Sequence, residues 1–399
     1  MTTPYGDFPG HDLVSWDWVP HHSVPRSKHP LTIWLFSSEI PPYPRGGLGR
    51  HVDRLARYLV YRGHQVQIVV PYPPGPGPAV AGIQRESPLP YVVWDIEGLP
   101  ITLPGTSRPS VVHVHDATLW PRAQHFAERH GLPLLMTWHT LYGAWAQSLS
   151  IEPDPEWVER ERSIFRESPH QIWVSRALFE QGRALYGAPE PTTSHRVIGS
   201  GISFPTVDSG VRLQRGFPDL LFFGRLEPEK GIDWLFTVLP DLLRRRRDLH
   251  VVICGNGSRR PTILQLIREQ GWQKRVHAVG IVGDSELNHY LMTAKVAVLP
   301  SRFEPFGLTA LEAMAMGLAT IIGPAQGVLD FAVPGENCLR VKSPDQLIET
   351  IEFLLDHPER RQELGDAAQQ LAIPWHWSQI GHEVERAYYD AQRKTPTIE

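Results

Sequence analysis

Cysteine is scarce in this sequence: Cys254 and Cys338 are the two present in 399 residues. That excludes a disulfide framework and fits a reducing compartment. No apolar run approaches the ~18 residues that a membrane helix needs, so no transmembrane segment is expected. Charge of one sign is not in excess: 39 basic and 43 acidic residues leave a net charge of −4. A general nucleic-acid binder is therefore excluded. Met1–Pro30 has no basic-then-apolar leader layout. It is rich in His, Pro and Trp and reads as an irregular arm on a cytoplasmic protein. Metal-ligand spacing is also missing. His113-Val114-His115-Asp116 suggests a metal, but no further ligand is spaced to complete a site, so none is expected.

What the chain does have is proline and glycine, 38 and 33 residues. They gather in turns, with Pro71–Pro78 a stiff surface loop. Between the turns, short apolar runs alternate with helical patterns, which implies parallel sheets. Strands are expected at Leu31–Phe36, Gln65–Val70, Tyr91–Trp94, Val111–Val114, Leu134–Trp138 and Ile172–Val174. A second series starts after Ser200-Gly201, with strands at Leu220–Phe223, His250–Cys254, Val276–Ala278, Val296–Pro300 and Ala319–Ile322. Helices are read between them, and a long one over Trp375–Asp390. The fold class is α/β with two doubly wound units facing across a cleft. Ligands of such sheets bind beyond the carboxyl ends of the strands.

The most informative stretch is Ser301–Gly317, SRFEPFGLTALEAMAMG. It follows an apolar strand. Pro305 is expected at a first helical position, where its fixed φ fits and its missing N–H costs nothing. Gly307 lets another group approach the first turn. Leu308, Leu311, Met314 and Ala315 give the helix an apolar face, and Gly317 ends it. An open helix N-terminus binds anions through free amides and the helix dipole. Glu304 stands at its mouth and Glu312 two turns further in. Carboxylates accept bonds from hydroxyls while amides hold phosphates, so the stretch suits a sugar nucleotide. The plain alternative is a surface turn before a core helix.

Three other motifs end strands. Gly46-Gly47-Leu48-Gly49 opens the first helix and exposes backbone amides to a phosphate or sugar, although a tight turn accounts for it equally. It lacks the full dinucleotide fingerprint, so a nicotinamide cofactor is not favoured. Gly224–Gly231 brings Arg225 and Lys230 to one turn, a planar fork and a point charge suited to a diphosphate. The alternative is neutralisation by Glu227 and Glu229. His139, in Thr137-Trp138-His139-Thr140, is either a sugar contact or a structural histidine. Arg244–Arg247 ends a helix, where cations are favourable. A solvated face is its main reading and a peripheral membrane contact the lesser one.

Taken in order, these motifs resemble the retaining glycosyltransferases of the family that includes bacterial glycogen and starch synthases and sucrose synthases, glycosyltransferase family 4 in type. The likeness covers roughly residues 31–390. It rests on the E-x7-E element from Glu304 to Glu312, on Gly-Arg-Leu-Glu-Pro-Glu-Lys-Gly at 224–231 and on Cys254-Gly255-Asn256-Gly257. The resemblance implies the GT-B fold: an acceptor domain over 31–200, a donor domain over 201–377, and a helix at about 378–399 packing back on the first. It implies that Arg225 and Lys230 bind the donor diphosphate, that Glu304 and His139 meet the hexose, and that Glu312 takes the ribose. Amides of Phe306, Gly307, Leu308 and Thr309 would hold the distal phosphate. Arg45, Gly47, Leu48, Gly49, Asp116 and Gly255 complete the expected substrate-binding set. Departures are Gly199-Ser200-Gly201-Ile202-Ser203 where the family often has Pro-Asn-Gly-Val/Ile-Asp, Arg45 for a lysine, and Ala325-Gln326-Gly327 for a Gly-Gly pair.

The expected activity is transfer of a hexose, glucose by leaning, from a UDP- or ADP-sugar to a hydroxyl with retention. Neither metal nor cofactor is expected. The acceptor, a carbohydrate, lipid or small molecule, has no readable code. Rival readings are a nucleotide-sugar epimerase on the same fold and a non-catalytic nucleotide-sugar or glycan-binding protein.

Overall fold

The computed structural model describes residues 25–39, 47–71, 91–95, 108–203 and 218–394. The expected site residue Arg45 and nearly all of the Pro71–Pro78 loop lie outside them.

Seven strands form the first sheet: β1 (Thr32–Phe36), β2 (Gln65–Pro71), β3 (Tyr91–Asp95), β4 (Val111–Val114), β5 (Leu134–Trp138), β6 (His170–Trp173) and β7 (Ser194–Val197). Their spatial order is β3-β2-β1-β4-β5-β6-β7, all parallel. Six form the second: β8 (Leu220–Phe223), β9 (Val251–Cys254), β10 (Val276–Gly280), β11 (Val296–Leu299), β12 (Thr320–Ile322) and β13 (Leu339–Arg340). Their order is β10-β9-β8-β11-β12-β13, again parallel. Helices cover both faces, so β1, β4, β5, β6, β8, β9, β11 and β12 are buried at every residue. That is why they read as unbroken apolar runs.

Strand order reverses between β1 and β4 in one sheet and between β8 and β11 in the other. A crevice opens beyond the strand ends at each such switch point. The loops leaving these four strands carry the glycine loop, His115, the Arg225–Lys230 turn and Glu304. Topology therefore gathers motifs that are remote in sequence.

The helix Gly47–Tyr61 buries Val52, Leu55, Ala56 and Leu59 on the first sheet. The tail helix Trp377–Lys394 returns to that sheet and adds Ile380, Val384, Ala387, Tyr388 and Ala391 to the same apolar cluster. Its anchor is polar. Glu385, 1% exposed, accepts from Arg62 Nε at 2.9 Å and Nη2 at 3.1 Å and pairs with His64 Nε2 at 3.0 Å. Burial alone would raise the Glu385 pKa, but the bonds from His64 and Arg62 outweigh it and bring it down to about 2.

Several boundaries differ from the sequence reading. The E-x7-E helix runs Leu308–Ala315, with Gly307 as its cap at φ 102°. Pro305 therefore precedes the helix, because the left-handed turn at Gly307 resets the chain direction. The helices Tyr142–Ser148 and Pro358–Ala372 were not foreseen. The latter is mostly polar, and Leu364, Gly365, Ala368 and Ala372 are its buried positions. β7 and β13 escaped notice as well, being edge strands without a buried run. The arginines at 244–247 lie on the solvated face that was expected, where Arg244, Arg245 and Arg246 also pair with Asp241, Glu352 and Asp356.

Glu385→Ala leaves Arg62 and His64 without their buried carboxylate, and is expected to cost ~3 kcal/mol. The check is the urea midpoint at pH 7, where an unchanged value would contradict the anchor. The Glu385 pKa is lowered on folding from 4.5 to about 2, so its stabilisation is present above pH 4.5 and lost as pH falls through that window.

Candidate active site

The turn after β8 places Lys230 at the end of the short 3-10 segment Pro228–Lys230. Its Nζ lies 2.6 Å from Glu304 Oε2, with side-chain exposures of 18% and 11%. Ser301 Oγ stands 3.4 Å from the same oxygen. Lys230 is thus held ready at the mouth of the E-x7-E element. Arg225 Nη2 bonds Glu229 Oε1 at 2.8 Å. Glu229 is buried and Arg225 half exposed. The two cations are not brought onto one shared partner: each has its own carboxylate. Glu227 neutralises neither, since it accepts from Ser258 N at 2.9 Å. The Glu229 carbonyl accepts from Arg302 N at 2.8 Å, tying the two loops together.

Gly307 is a position that only glycine serves. A Cβ there would fall 2.4 Å from Val328 Cγ1, at a φ that L side chains avoid. Among the described residues no side chain caps the helix that follows, so its first-turn amides at Leu308 and Thr309 have no side-chain acceptor there. Phe306 packs its ring against Phe331 and Trp375 at 5.2 and 5.3 Å. That fixes the turn from behind.

Glu312 is bonded from across the cleft. Arg50 Nη1, one turn into the first helix, reaches Glu312 Oε1 at 2.6 Å. The attraction of Glu312 raises the Arg50 pKa above its ordinary value, against the cost of burial. Glu312 Oε2 is buried and has no hydrogen-bond partner among the described residues. Two further bonds cross here. Ser175 Oγ donates to the Pro305 carbonyl at 2.5 Å, and Arg176 N donates to Asp330 Oδ2 at 2.8 Å. Gly47 faces Leu308, whose Cδ2 would be 3.8 Å from a Cβ at that glycine. Leu48 and Gly49 lie in the same helical turn, partly buried and buried.

Two other expected site residues have local duties. Asp116 caps the segment Ala117–Leu119, accepting from Thr118 N at 2.8 Å, and also binds Ser38 Oγ. Gly255 donates its amide to the Gly280 carbonyl at 2.7 Å, and a Cβ there would strike Gly224 O. Its close packing keeps the loops after β8 and β9 together.

His139 follows β5 and His115 follows β4, adjacent parallel strands, so the two meet: His115 Nδ1 lies 3.0 Å from His139 Nε2. His51, on the first helix, stacks edge-on against His139 at 4.6 Å and bonds Ser200 Oγ through Nδ1 at 2.9 Å. His113 lies beneath, bonded to Tyr388 Oη at 2.8 Å and Thr137 Oγ1 at 2.6 Å. Burial pushes His51 and His113 down to about 3, and His115 and His139 well below the ordinary histidine value. All four rings are neutral at physiological pH.

Arg50, His51, Ser175 and Asp330 were not found from the sequence. For Arg50 and His51 a signal existed: they directly follow the glycine loop, and helical phase turns one to the cleft and the other to the core. Ser175 and Asp330 meet partners more than 100 residues away, which no local pattern encodes.

Two parallel sheets with their switch points facing each other define a GT-B architecture. Family comparison agrees: residues 45–203 match the model "Glycosyltransferase Family 4" and residues 208–371 match "Glycosyl transferases group 1". The chain belongs to the GT-B glycosyltransferases, family 4 in its first half and group 1 in its second, and is a transferase. It is 28% identical over 403 residues to a glycogen synthase of Mycobacterium tuberculosis, covering 91% of this chain and 95% of that one. It is 29% identical to a D-inositol 3-phosphate glycosyltransferase of Frankia alni, over 70% of this chain and 74% of that one. In fold it is similar to the sucrose-phosphate synthase of Thermosynechococcus elongatus, with TM-score 0.75, 21% identity and coverage of 90% and 98%. It is also similar to HepE of Anabaena in complex with UDP-glucose, with TM-score 0.66, 16% identity and coverage of 90% and 100%.

The histidine cluster makes a pH prediction. His51 and His113 have folded pKa values of about 3 against 6.5 in the open chain. Their depression destabilises the fold as pH falls below 6.5, by up to about 1.4 kcal/mol per pH unit for each ring. The melting temperature should drop between pH 6.5 and 5, with a shallower slope in His113→Asn. Equal slopes would contradict the neutral cluster.

Proposed function

We propose that this protein transfers a hexose, glucose first among candidates, from a UDP- or ADP-sugar to a hydroxyl acceptor, with retention and without a metal or cofactor. The observation that carries this reading is the pairing of Lys230 with Glu304 at 2.6 Å beside Glu312, whose Oε2 is buried without a partner. A buried carboxylate oxygen with no donor is costly unless a ligand supplies one. A ribose hydroxyl is such a donor. The names of the similar proteins, a glycogen synthase and a complex with UDP-glucose, support a glucosyl nucleotide.

In this reading residues 201–377 hold the donor and residues 31–200 the acceptor. Lys230 and Arg225 meet the diphosphate, and the amides of Phe306 to Thr309 meet its distal phosphate. Positive groups fixed in advance stabilise the charge that builds on the leaving diphosphate as the glycosidic bond breaks. Glu304 orients the hexose while keeping Lys230 in place. His139, neutral, exchanges a hydrogen bond with a sugar hydroxyl. The acceptor is a carbohydrate, lipid or small molecule reached from the first-half loops. Among the described residues no helix is long and apolar enough to cross a membrane. Two buried free thiols support a cytoplasmic setting.

Lys230→Ala should lower donor turnover by ~100-fold, the scale set by losing one preorganised charge stabiliser, and Glu312→Ala should lower it by roughly 10-fold or more through loss of the bond to the ribose hydroxyl. Hydrolysis of ADP-, UDP- and GDP-sugars, scored by released nucleotide, is the check. Wild-type rates in either variant would remove the assignment. Retention is tested by the anomeric coupling in the product's proton NMR spectrum: an inverted anomer would refute it.

A further inference from the structure

We propose that His51, His115 and His139 form a binding site for a divalent transition-metal ion of the zinc type on the floor of the cleft. The three come from different elements: the first helix, the loop after β4 and the loop after β5. One ring nitrogen from each lies within 4.8 Å of the other two. The His115–His139 pair is already at 3.0 Å, close to the ~3.3 Å between two ligands on a tetrahedral ion with bonds of about 2.0 Å. A swing of the His51 ring by about 1.5 Å completes that geometry.

Two features favour an ion here over a plain packed cluster. Three neutral imidazoles carry three lone pairs, and among the described residues no carboxylate is bonded to any of the three rings. Ser200 Oγ holds His51 Nδ1 at 2.9 Å, the outer-shell bond that fixes which nitrogen of a ligating histidine is turned to the metal. Imidazole donors select zinc, copper or nickel over magnesium or calcium. His51 and His115 are buried, while His139 is partly exposed, so the ion has a route in past that ring and a fourth position open to the cleft.

The ion has no part in the transfer step. Where His139 meets the hexose, which rests on the function proposed above, ion and donor exclude each other. Zinc then acts as an inhibitor competitive with the nucleotide sugar.

Cobalt(II) titration of the full chain tests the site without any activity measurement. The expected result is one ion per chain, with visible bands of a four- or five-coordinate complex that zinc displaces. His51→Gln and His115→Gln should each weaken binding by at least about 100-fold. His29→Gln and His357→Gln, at other positions, should leave it unchanged. Absence of a stoichiometric visible complex in the wild-type chain would overturn the site, whether or not the variants fold. So would equal affinity in folded His51→Gln. Binding with no competition against the donor would instead overturn the place given to His139 beside the hexose, and leave the metal site standing.

Discussion

The return of the tail helix is the constraint on which the cleft depends. The chain leaves the first sheet at β7, builds the second, and comes back through Trp375 and Trp377. The two crossings touch: Ile202 N donates to the Trp375 carbonyl at 2.9 Å and Trp377 N to the Ile202 carbonyl at 3.1 Å. From there the helix Trp377–Lys394 is welded to the first half by a broad apolar face. It is also tied by Glu385 to Arg62 and His64, and by Tyr388 to His113. Tyr388 thus links the fastening helix directly to the histidine cluster under the site.

Contacts at the cleft are of another kind. Arg50–Glu312, Ser175–Pro305 and Arg176–Asp330 are few and polar, and Arg50 is 38% exposed at its side chain. A partly exposed ion pair contributes at most ~1 kcal/mol. Burying the apolar face of the tail contributes roughly 1.5–3 kcal/mol for each large side chain. The two halves are therefore held strongly at the crossing and weakly at the ligand side.

How much of this was legible follows from where each piece of information resides. The buried strands announced themselves because helices on both faces leave no polar alternation, and Leu220–Phe223 and Leu134–Trp138 fall where the runs predict. The E-x7-E element was legible because strand, turn and helix are contiguous there. Its cap was not: Pro305 looked like a first helical residue, and the left-handed turn at Gly307 is imposed by packing on Val328. The edge strand Ser194–Val197 has half its residues outward, so composition hides it. The partners of Arg225 and Lys230 needed the fold as well. Glu229 was in view as a neighbour of Arg225, but Glu304 meets Lys230 across 74 residues.

The histidines show the same limit most sharply. His113-Val114-His115 in sequence offers two rings on the same side of one strand end, their centroids 4.0 Å apart, and no spacing supplies a third ligand. His115 is joined instead by His139, after the neighbouring strand β5, and by His51, brought in because β1 and β4 are neighbours and the helix after β1 lies over their ends. The four rings differ in use. His113 has both nitrogens satisfied, by Tyr388 and Thr137, and is a structural member. His115 has one nitrogen satisfied and the other buried without a partner. Buried polar atoms are almost always paired. An orphan beside a cleft, one ring away from solvent, therefore marks a polar atom that the described part of this fold does not itself satisfy.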